Sequence, residues 1–177
     1  MNFDHFNIRL MTSQDADNYF HLVENNRERL ADFFPGTVAK TQTITDTENF
    51  LAYFEKLTTE RTFYPYAIVD LQTNQFIGYL HASNVDWNIS KAEIGFYIDR
   101  NHSQKGIITK AVHCLMNHYF DTLGFNKIFL RTHPENTAAI ALAEKCGFEL
   151  EGRIRHDFKT SAGKLIDLLY YGKLRKA

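Results

Sequence analysis

The chain has 177 residues, of which 44% are hydrophobic and 23% are charged, and its formal net charge is −1. This length is typical of one folded domain, so we predict a single domain over residues 1–177. The balanced charge creates no overall field that would attract nucleic acid or an anionic membrane, and a small-molecule partner is expected instead.

The cysteines and the N-terminal residues indicate the compartment. Cys114 and Cys146 lie far apart and match neither a zinc motif nor a disulfide framework, so no metal site is expected. The first ten residues lack the basic start and apolar run of a signal peptide, and no run approaches the roughly 18 apolar residues of a membrane span. We therefore expect a cytoplasmic protein with reduced cysteines.

The first elements are a strand and a helix. The run FNIRLM, from Phe6, predicts a short strand, and Ser13 is a suitable N-cap for the helix that follows. Apolar residues recur at helical spacing over residues 16–30, and the proline and glycine of FFPG, residues 33–36, end this pattern. The basic segment NNRER, residues 25–29, is interpreted as solvated surface.

A second helix is predicted to begin at TDTE, residues 45–48. Thr45 and Glu48 have the spacing of a capping box, in which each side chain bonds the other residue's backbone N–H group. Apolar residues continue at helical spacing after this point. Two helices therefore precede most of the strands.

The hydrophobic period then changes from helical to two. Three neighbouring strands are predicted, with Asn74 near the first bend and KAEIGFYID, from Lys91, as the third strand. A helix, a strand (FNKIFLRTH), a short helix and two final strands complete the chain. This order predicts an α+β fold: a mixed, mostly antiparallel sheet of about seven strands with helices on both faces.

The stretch DRNHSQKGIITKAV, residues 99–112, joins a predicted strand to a predicted helix. Backbone N–H groups at a helix start are unpaired and can bind phosphate. Gly106 would let the backbone approach a ligand closely, and Lys105 and Thr109 add a cation and a hydroxyl. An ordinary strand-to-helix turn is the alternative, since neither a P-loop nor a Gly-x-Gly-x-x-Gly fingerprint is present.

Four segments carry a family resemblance: EIGFYI, KGIIT, PEN and EKCGFELEGRIR, in this order between residues 93 and 155. With the N-terminal helices and the terminal DLLYYGKL, they resemble the GNAT-type N-acetyltransferases, most of all the RimL-like branch of ribosomal-protein-serine acetyltransferases. The resemblance implies the GNAT fold, whose fourth and fifth strands splay apart so that the pantetheine arm of acetyl-CoA lies between them.

The resemblance also implies where the co-substrate acetyl-CoA binds. The fourth strand is AEIGFYI and the fifth is KIFLRT, and Asn136 matches the family asparagine that approaches the cofactor arm. Backbone groups of the fourth strand are expected to bond the pantetheine and face the thioester: Phe96, Tyr97 and Ile98. The pyrophosphate is expected on the following turn: Gln104, Lys105, Gly106, Ile107, Ile108 and Thr109.

The turn departs from the family pattern, which reads Arg or Gln, two residues, Gly, one residue, and Gly or Ala. This chain has Ser103, Gly106 and Ile108 in those three places, and Gln104 stands where many relatives carry another glycine. The central glycine alone matches fully. The departure bears on how tightly the cofactor binds rather than on which cofactor binds.

Attack of an amine on a thioester needs a neutral amine, a polarised carbonyl and a proton for the departing thiolate. Glu93 is predicted to be the general base, directly or through a water, with His81 and His133 as alternatives. A solvent-facing strand residue is the competing interpretation of Glu93.

The expected general acids are missing. Where the family offers a serine or a tyrosine after the asparagine, this chain has Ala139 and Ala143. Tyr97 or Tyr170 could protonate the thiolate instead, or water could do so, because a thiol with a pKa near 8.5 leaves readily as an anion.

The resemblance implies transfer of the acetyl group to a primary amine, most often the N-terminal α-amine of a ribosomal protein. An α-amine with a pKa near 7.7 to 8.0 is substantially neutral at cytosolic pH, whereas a lysine amine near 10.4 is not. A small amine acceptor (polyamine, amino acid or antibiotic) and a non-enzymatic acyl-CoA-binding protein are the alternatives. Homodimers are common among the relatives, so a homodimer stays open.

Overall fold

The computed structural model describes residues 1–160 and 162–176. Eight strands form one mixed sheet, in the order β1-β2-β3-β4-β5-β6-β8-β7. Neighbours are antiparallel except for the parallel pair β5–β6. The strands are β1 (Asn2–Phe3), β2 (Phe6–Leu10), β3 (Tyr64–Asp70), β4 (Gln75–Asp86), β5 (Lys91–Ile98), β6 (Lys127–Thr132), β7 (Glu149–Lys159) and β8 (Leu165–Leu174).

Helices cover both faces of the sheet. They are α1 (Ala16–Glu24), α2 (Arg27–Leu30), α3 (Pro35–Lys40), α4 (Ile44–Thr59), α5 (Ile107–Asn117) and α6 (Thr137–Lys145). A π-helical turn, His118–Thr122, continues α5. Helices α1 and α4 share a buried apolar cluster with Ala67 and Tyr79 on one face, and α5 shares the larger cluster with Ile94 and Ile128 on the other. The predicted α+β architecture is confirmed.

The eighth strand is the two-residue β1, which the sequence pattern did not predict. It pairs with β2 through Asn2↔Asn7 and Phe3↔Phe6. A run this short carries no alternation of apolar and polar residues, so it has no signature in the sequence. The other seven strands follow the predicted order.

The start of the first helix differs from the prediction. Thr12, not Ser13, is the N-cap, and a 3-10 turn of residues 13–15 precedes α1. Asp15 Oδ2 accepts a hydrogen bond from Thr12 N at 2.9 Å. Ser13 instead donates its backbone N–H group to Glu55 Oε1 of α4, also at 2.9 Å. A residue distant in sequence thus determines which polar side chain caps the helix.

The second predicted cap is also wrong by two residues. Thr43 caps α4, because Asp46 N donates to Thr43 Oγ1 at 3.0 Å, while Thr45 and Glu48 lie inside the helix. Both threonines are followed three residues later by an acid, so the local pattern is ambiguous.

The segment FFPG does not simply end helical structure. The first helix breaks after Glu24, and Pro35 lies at the first turn of the short helix α3. Proline is tolerated there because its missing N–H group would have no intrahelical acceptor. These short helices place Asp32, Phe33 and Phe34 beside β5.

Candidate active site

Strands β5 and β6 pair over their first three residues and then diverge. Residues 91–93 lie in parallel register with residues 127–129, and no later pair between the two strands is formed within the described chain. The splay predicted from the resemblance is therefore confirmed. In this structure the two strands are the fifth and sixth, because β1 comes first.

A cavity of about 240 Å³ opens at this divergence. It lies between the splayed strands, the α2–α3 connection and the β7–β8 hairpin. Its lining includes the predicted residues Glu93, Phe96, Asn136, His81 and His133. Other lining residues were not predicted from the sequence, among them Asp32, Arg131, Thr132 and Phe158.

The backbone of β5 alternates in direction beside the gap. Just after β5, Asp99 N donates to Ile77 O of β4 at 2.7 Å. Two residues earlier in β5, Tyr97 lies opposite Tyr79 of β4 in the same register. Because backbone groups alternate along an antiparallel pair, Tyr97 directs its N–H and C=O groups toward β4. Phe96 and Ile98 direct theirs toward the gap left by β6.

Glu93 lies at the point where the strands part. Its carboxylate accepts hydrogen bonds from Arg131 Nε at 2.7 Å and Arg131 Nη2 at 2.9 Å, and from Asn84 Nδ2 at 2.6 Å. The Glu93 side chain is only 11% exposed. It is therefore not the solvent-facing residue of the competing interpretation. Three of the roughly four acceptor sites of this carboxylate are therefore occupied within the described chain, and the side chain is held in place by its ion pair.

Arg131 extends this ion pair to the β7–β8 hairpin. Its Nη1 lies 3.3 Å from Asp157 Oδ2, and Tyr170 OH donates to the same Asp157 oxygen at 3.2 Å. The hydrogen bond to Glu93, offset in part by burial, raises the pKa of Arg131, so the guanidinium stays charged. Arginine was not selected from the sequence because its partner lies 38 positions away.

Histidine 81 lines the same cavity from β4. Burial lowers the pKa of His81 to about 4, so the imidazole is neutral at cytosolic pH. Its ring stacks on Phe63 and covers Gly95, where a Cβ atom would overlap the ring. Its Nδ1 atom is buried and has no hydrogen-bond partner among the described residues.

The expected acid positions lie as follows. Ala139 lines the cavity and Ala143 is buried in the core, and neither carries a proton to donate. Tyr97 packs against Tyr79 on the α1–α4 face, and its hydroxyl is buried. Neither Tyr97 nor Tyr170 is among the residues that line the cavity. Thr132, at the end of β6, is a lining residue that carries a hydroxyl.

Asn136 has a structural role that the sequence did not suggest. It is the N-cap of α6, and its Oδ1 accepts a hydrogen bond from Ala139 N at 3.2 Å. This cap fixes the side chain at the cavity wall. The predicted position beside the gap is thus consistent with the geometry, while its contact with a cofactor stays a prediction.

The predicted phosphate turn lies at the far end of the gap, outside the cavity. Gly106 is the N-cap of α5 with φ +74°, and Gln104 has φ +61°. The first helical bond runs from Lys110 N to Gly106 O, so the N–H groups of residues 107–109 precede the helical ladder. Apart from the chain neighbours of Gly106, no heavy atom of the described residues lies within 4 Å of the place where its Cβ would stand. The turn is therefore open to a ligand.

Buried polar side chains hold this turn against the rest of the fold. Asn26, which is fully buried, donates its Nδ2 to Asp99 Oδ2 at 2.8 Å and accepts a bond from Arg100 N at 3.0 Å. Asp99 Oδ1 accepts a further bond from Asn101 N at 2.8 Å. Burial raises the pKa of Asp99, but the hydrogen bonds from Asn26, Asn101 and His102 together lower it further, so the net shift is downward. The prediction that the segment NNRER is solvated surface is therefore wrong for Asn26.

Over residues 1–160 and 162–176, no three His, Cys, Asp or Glu side chains lie close enough together to hold a metal ion. Within the same residues, no helix is both long and apolar enough to cross a membrane.

Comparison with known proteins identifies the family. The Acetyltransferase (GNAT) domain matches residues 5–149. The chain is 27% identical to the putative ribosomal N-acetyltransferase YdaF of Bacillus subtilis, over 98% of this chain and 93% of that protein. It is 33% identical to the uncharacterized N-acetyltransferase p20 of Bacillus licheniformis, over 63% of this chain and 62% of that protein.

A solved structure agrees in fold. RimL, a ribosomal L7/L12 α-N-protein acetyltransferase in complex with coenzyme A, superposes with a TM-score of 0.88 at 20% identity, covering 97% of this chain and 95% of that one. The chain therefore belongs to the GNAT acetyltransferase family, whose members are acyl-CoA-dependent N-acetyltransferases. The resemblance drawn from the sequence, including its RimL-like character, is confirmed.

Proposed function

We propose that this protein transfers the acetyl group of acetyl-CoA to a primary amine by direct attack, and that the acceptor is a protein N-terminal α-amine. The observation that carries the proposal is the cavity at the divergence of β5 and β6, where two of the three candidate bases are constrained. Glu93 is engaged by Arg131 and Asn84, and His81 has a pKa of about 4. An α-amine needs the least help to lose its proton.

The cofactor would lie along the gap. Backbone groups of Phe96 and Ile98 face the space that a pantetheine arm would occupy, and Asn136 closes the wall opposite. The N–H groups at the start of α5 would receive the pyrophosphate, with Lys105 as an added cation and Gly106 leaving room for close approach. The structure of RimL, a protein of the same fold, contains coenzyme A, which supports this choice of cofactor.

For the chemistry, a backbone N–H group in the gap would polarise the thioester carbonyl. The prediction that Glu93 is the base is untested. Its geometry favours a different contribution, in which the fixed carboxylate attracts and orients the acceptor ammonium before it loses a proton. The Thr132 hydroxyl, which lines the cavity, could donate a hydrogen bond to the departing thiolate in place of the acids missing at Ala139 and Ala143.

The acceptor is tested with matched peptides. We expect CoA release from acetyl-CoA with peptides that have a free N-terminus and no lysine. The same peptides with a blocked N-terminus and one internal lysine should react at least about a hundredfold more slowly, because far less of a lysine amine is neutral at pH 7.5. Faster turnover of the lysine peptide would contradict the α-amine assignment.

The role of Glu93 is tested with Glu93→Gln. A general base supplies about 10² to 10⁴ in rate, so loss of a base would lower kcat by at least a hundredfold and remove the acidic limb of its pH profile. We expect instead a rise in KM for the amine with a kcat change below about tenfold. A large kcat loss with unchanged KM would restore Glu93 as the base.

A small polyamine is the second candidate acceptor. The observation in its favour is the pair of carboxylates, Asp32 and Glu93, that line one cavity. Asp32 lies on the exposed α2–α3 connection and could hold a second ammonium group. Spermidine is tested in the same assay as the peptides. If spermidine is the acceptor, Asp32→Asn should raise the KM for spermidine and leave the KM for the peptide nearly unchanged.

A further inference from the structure

The phosphate turn of this chain lacks the arginine or glutamine that its family pattern has at the first position. Ser103 stands there, and its short side chain cannot reach far from the backbone. The structure nevertheless brings a guanidinium to this place. Arg29, from α2, donates its Nη1 to Ser103 Oγ at 3.2 Å.

Arg29 is held at the turn by two more contacts. Its Nη2 donates to Asn26 Oδ1 at 2.9 Å and also to Ile98 O, the last carbonyl of β5, on the side that faces the gap. The guanidinium therefore bridges the end of the splayed strand and the start of the turn. Because Asn26 is buried and is itself bonded to Asp99 and to the Arg100 backbone, it positions Arg29 before any ligand binds.

The contacts of Arg29 leave its charge and part of its donor capacity unused. A guanidinium has five N–H donors, and three are taken by neutral oxygens, which leaves two within the described chain. Arg29 forms no ion pair with a carboxylate of the described residues, in contrast to Arg9, Arg27 and Arg131.

The electrostatic surroundings favour an anion. Burial and then the cation of Arg100 lower the pKa of Arg29, and Asp99 offsets this only in part. Lys105 adds a third positive charge on the same short turn. These positive groups repel one another, and an anion bound between them would offset the repulsion.

We propose that Arg29 is a cofactor-binding residue that contacts the pyrophosphate of acetyl-CoA and supplies, from another element, the charge that is missing at Ser103. The inference rests on the proposed placement of the cofactor and does not depend on the acceptor. Arg29 would donate its two remaining N–H groups to phosphate oxygens while it keeps its contacts with the turn. In this way it fixes the pyrophosphate relative to Ile98 and the pantetheine gap.

Binding of coenzyme A by isothermal titration calorimetry tests this role. Arg29→Ala and Arg29→Gln should each weaken CoA binding by about tenfold to a hundredfold, the range expected for one lost hydrogen bond to a charged group. Arg29→Lys should lose less, since it keeps the charge. Added salt should weaken CoA binding to the wild type more than to Arg29→Ala.

Pantetheine, which has the same arm but no phosphate, separates binding from folding. We expect its thermal stabilisation of the protein at millimolar concentration to be the same in the wild type and in Arg29→Ala. The matched control is Arg27→Ala. Arg27 lies on the same helix, and its guanidinium donates to Val38 O and Thr41 O. This variant should lower the melting temperature without a selective loss of CoA binding.

Three results would overturn the inference. One is CoA binding by Arg29→Ala within twofold of the wild type, and another is an equal loss for CoA and pantetheine, which would show a purely structural role. The third is a wild-type protein that does not bind CoA, which would also overturn the proposed function. Binding by the wild type with no effect of Arg29→Ala overturns this inference alone.

Discussion

The two halves of the β5–β6 pair differ in structure and in sequence pattern. Residues 91–93 pair with residues 127–129 as an ordinary parallel ladder, whereas Phe96 and Ile98 face a gap. In β5 the paired half alternates polar and apolar residues, and the diverging half, residues 94–98, is mostly apolar. The difference shows that divergence of the two strands leaves backbone groups unpaired, and these groups line the gap that we propose for the cofactor arm.

The Glu93–Arg131 ion pair marks the boundary between the two halves. Arg131→Ala would leave the Glu93 carboxylate nearly buried without its cation, and we expect the free energy of unfolding to fall by about 2 to 3 kcal/mol, reduced from the usual range because Arg131 is partly exposed. Urea denaturation measures this change. The effect is the largest that we expect in stability.

Two further variants make the boundary prediction specific. Arg153→Ala removes an arginine whose side chain is 61% exposed on the hairpin, and we expect little change because exposed pairs contribute little. The double variant Glu93→Gln with Arg131→Met removes both charges and should recover most of the lost stability. A loss from Arg131→Ala no greater than that from Arg153→Ala would show that the ion pair does not hold the boundary.

Gly106, at the open end of the gap, and Gly124, which follows the π-helical turn, form a matched pair. Both have left-handed backbones, with φ +74° and +70°, and no heavy atom of the described residues, apart from the glycine's own chain neighbours, lies within 4 Å of either Cβ position. Alanine at each should cost a similar 1 kcal/mol or so in stability, from backbone strain alone. Only Gly106→Ala should weaken CoA binding, by about tenfold or more, because its Cβ would project toward the pyrophosphate.

Calorimetric titration of both alanine variants with CoA measures this difference. Equal affinities for CoA would mean that the turn does not approach the cofactor. A much larger loss of stability in Gly106→Ala than in Gly124→Ala would mean that the turn is strained for another reason.

His81 provides the smallest test, on the β4 side of the boundary. Its pKa of about 4 in the folded protein lies below the ordinary value near 6.5. The unfolded chain therefore binds the proton more readily, and stability falls as pH decreases from about 6.5 to 4. We expect a contribution of about 1 to 2 kcal/mol between pH 7 and pH 5, since the side chain is partly exposed.

Urea denaturation at pH 7 and pH 5 checks this contribution. His81→Phe, which keeps an aromatic ring beside Phe63 but cannot titrate, should lose correspondingly less stability over the same range. If both proteins respond equally to acid, His81 is not buried in its neutral form and is again a candidate for proton transfer.

Sequence reasoning succeeded for regular elements and failed at several of their ends. The seven longer strands follow from alternation and order, but the caps predicted at Ser13 and Thr45 lie at Thr12, before the 3-10 turn that precedes α1, and at Thr43. Several polar residues near each helix start could serve as a cap. Glu55 of α4 engages Ser13, and a contact between residues this far apart has no local pattern.

The candidate site shows the same division. Gly106, Asn136 and Glu93 could be selected because a motif with a fixed spacing carried them. Arg131 and Arg29 could not be selected, since each is defined by a partner brought close only by folding. Glu93 changes its interpretation for the same reason, because its charge is balanced by a residue of another strand.

The sequence by itself determined the α+β order, the family and the turn at Gly106, because periodicity and short motifs are local properties. Only the tertiary structure decided where β5 and β6 part, that Glu93 is held by Arg131, and that Arg29 lies on the turn beside Ser103. The physical reason is that electrostatic and hydrogen-bond partners depend on distance in space, which a linear sequence does not contain.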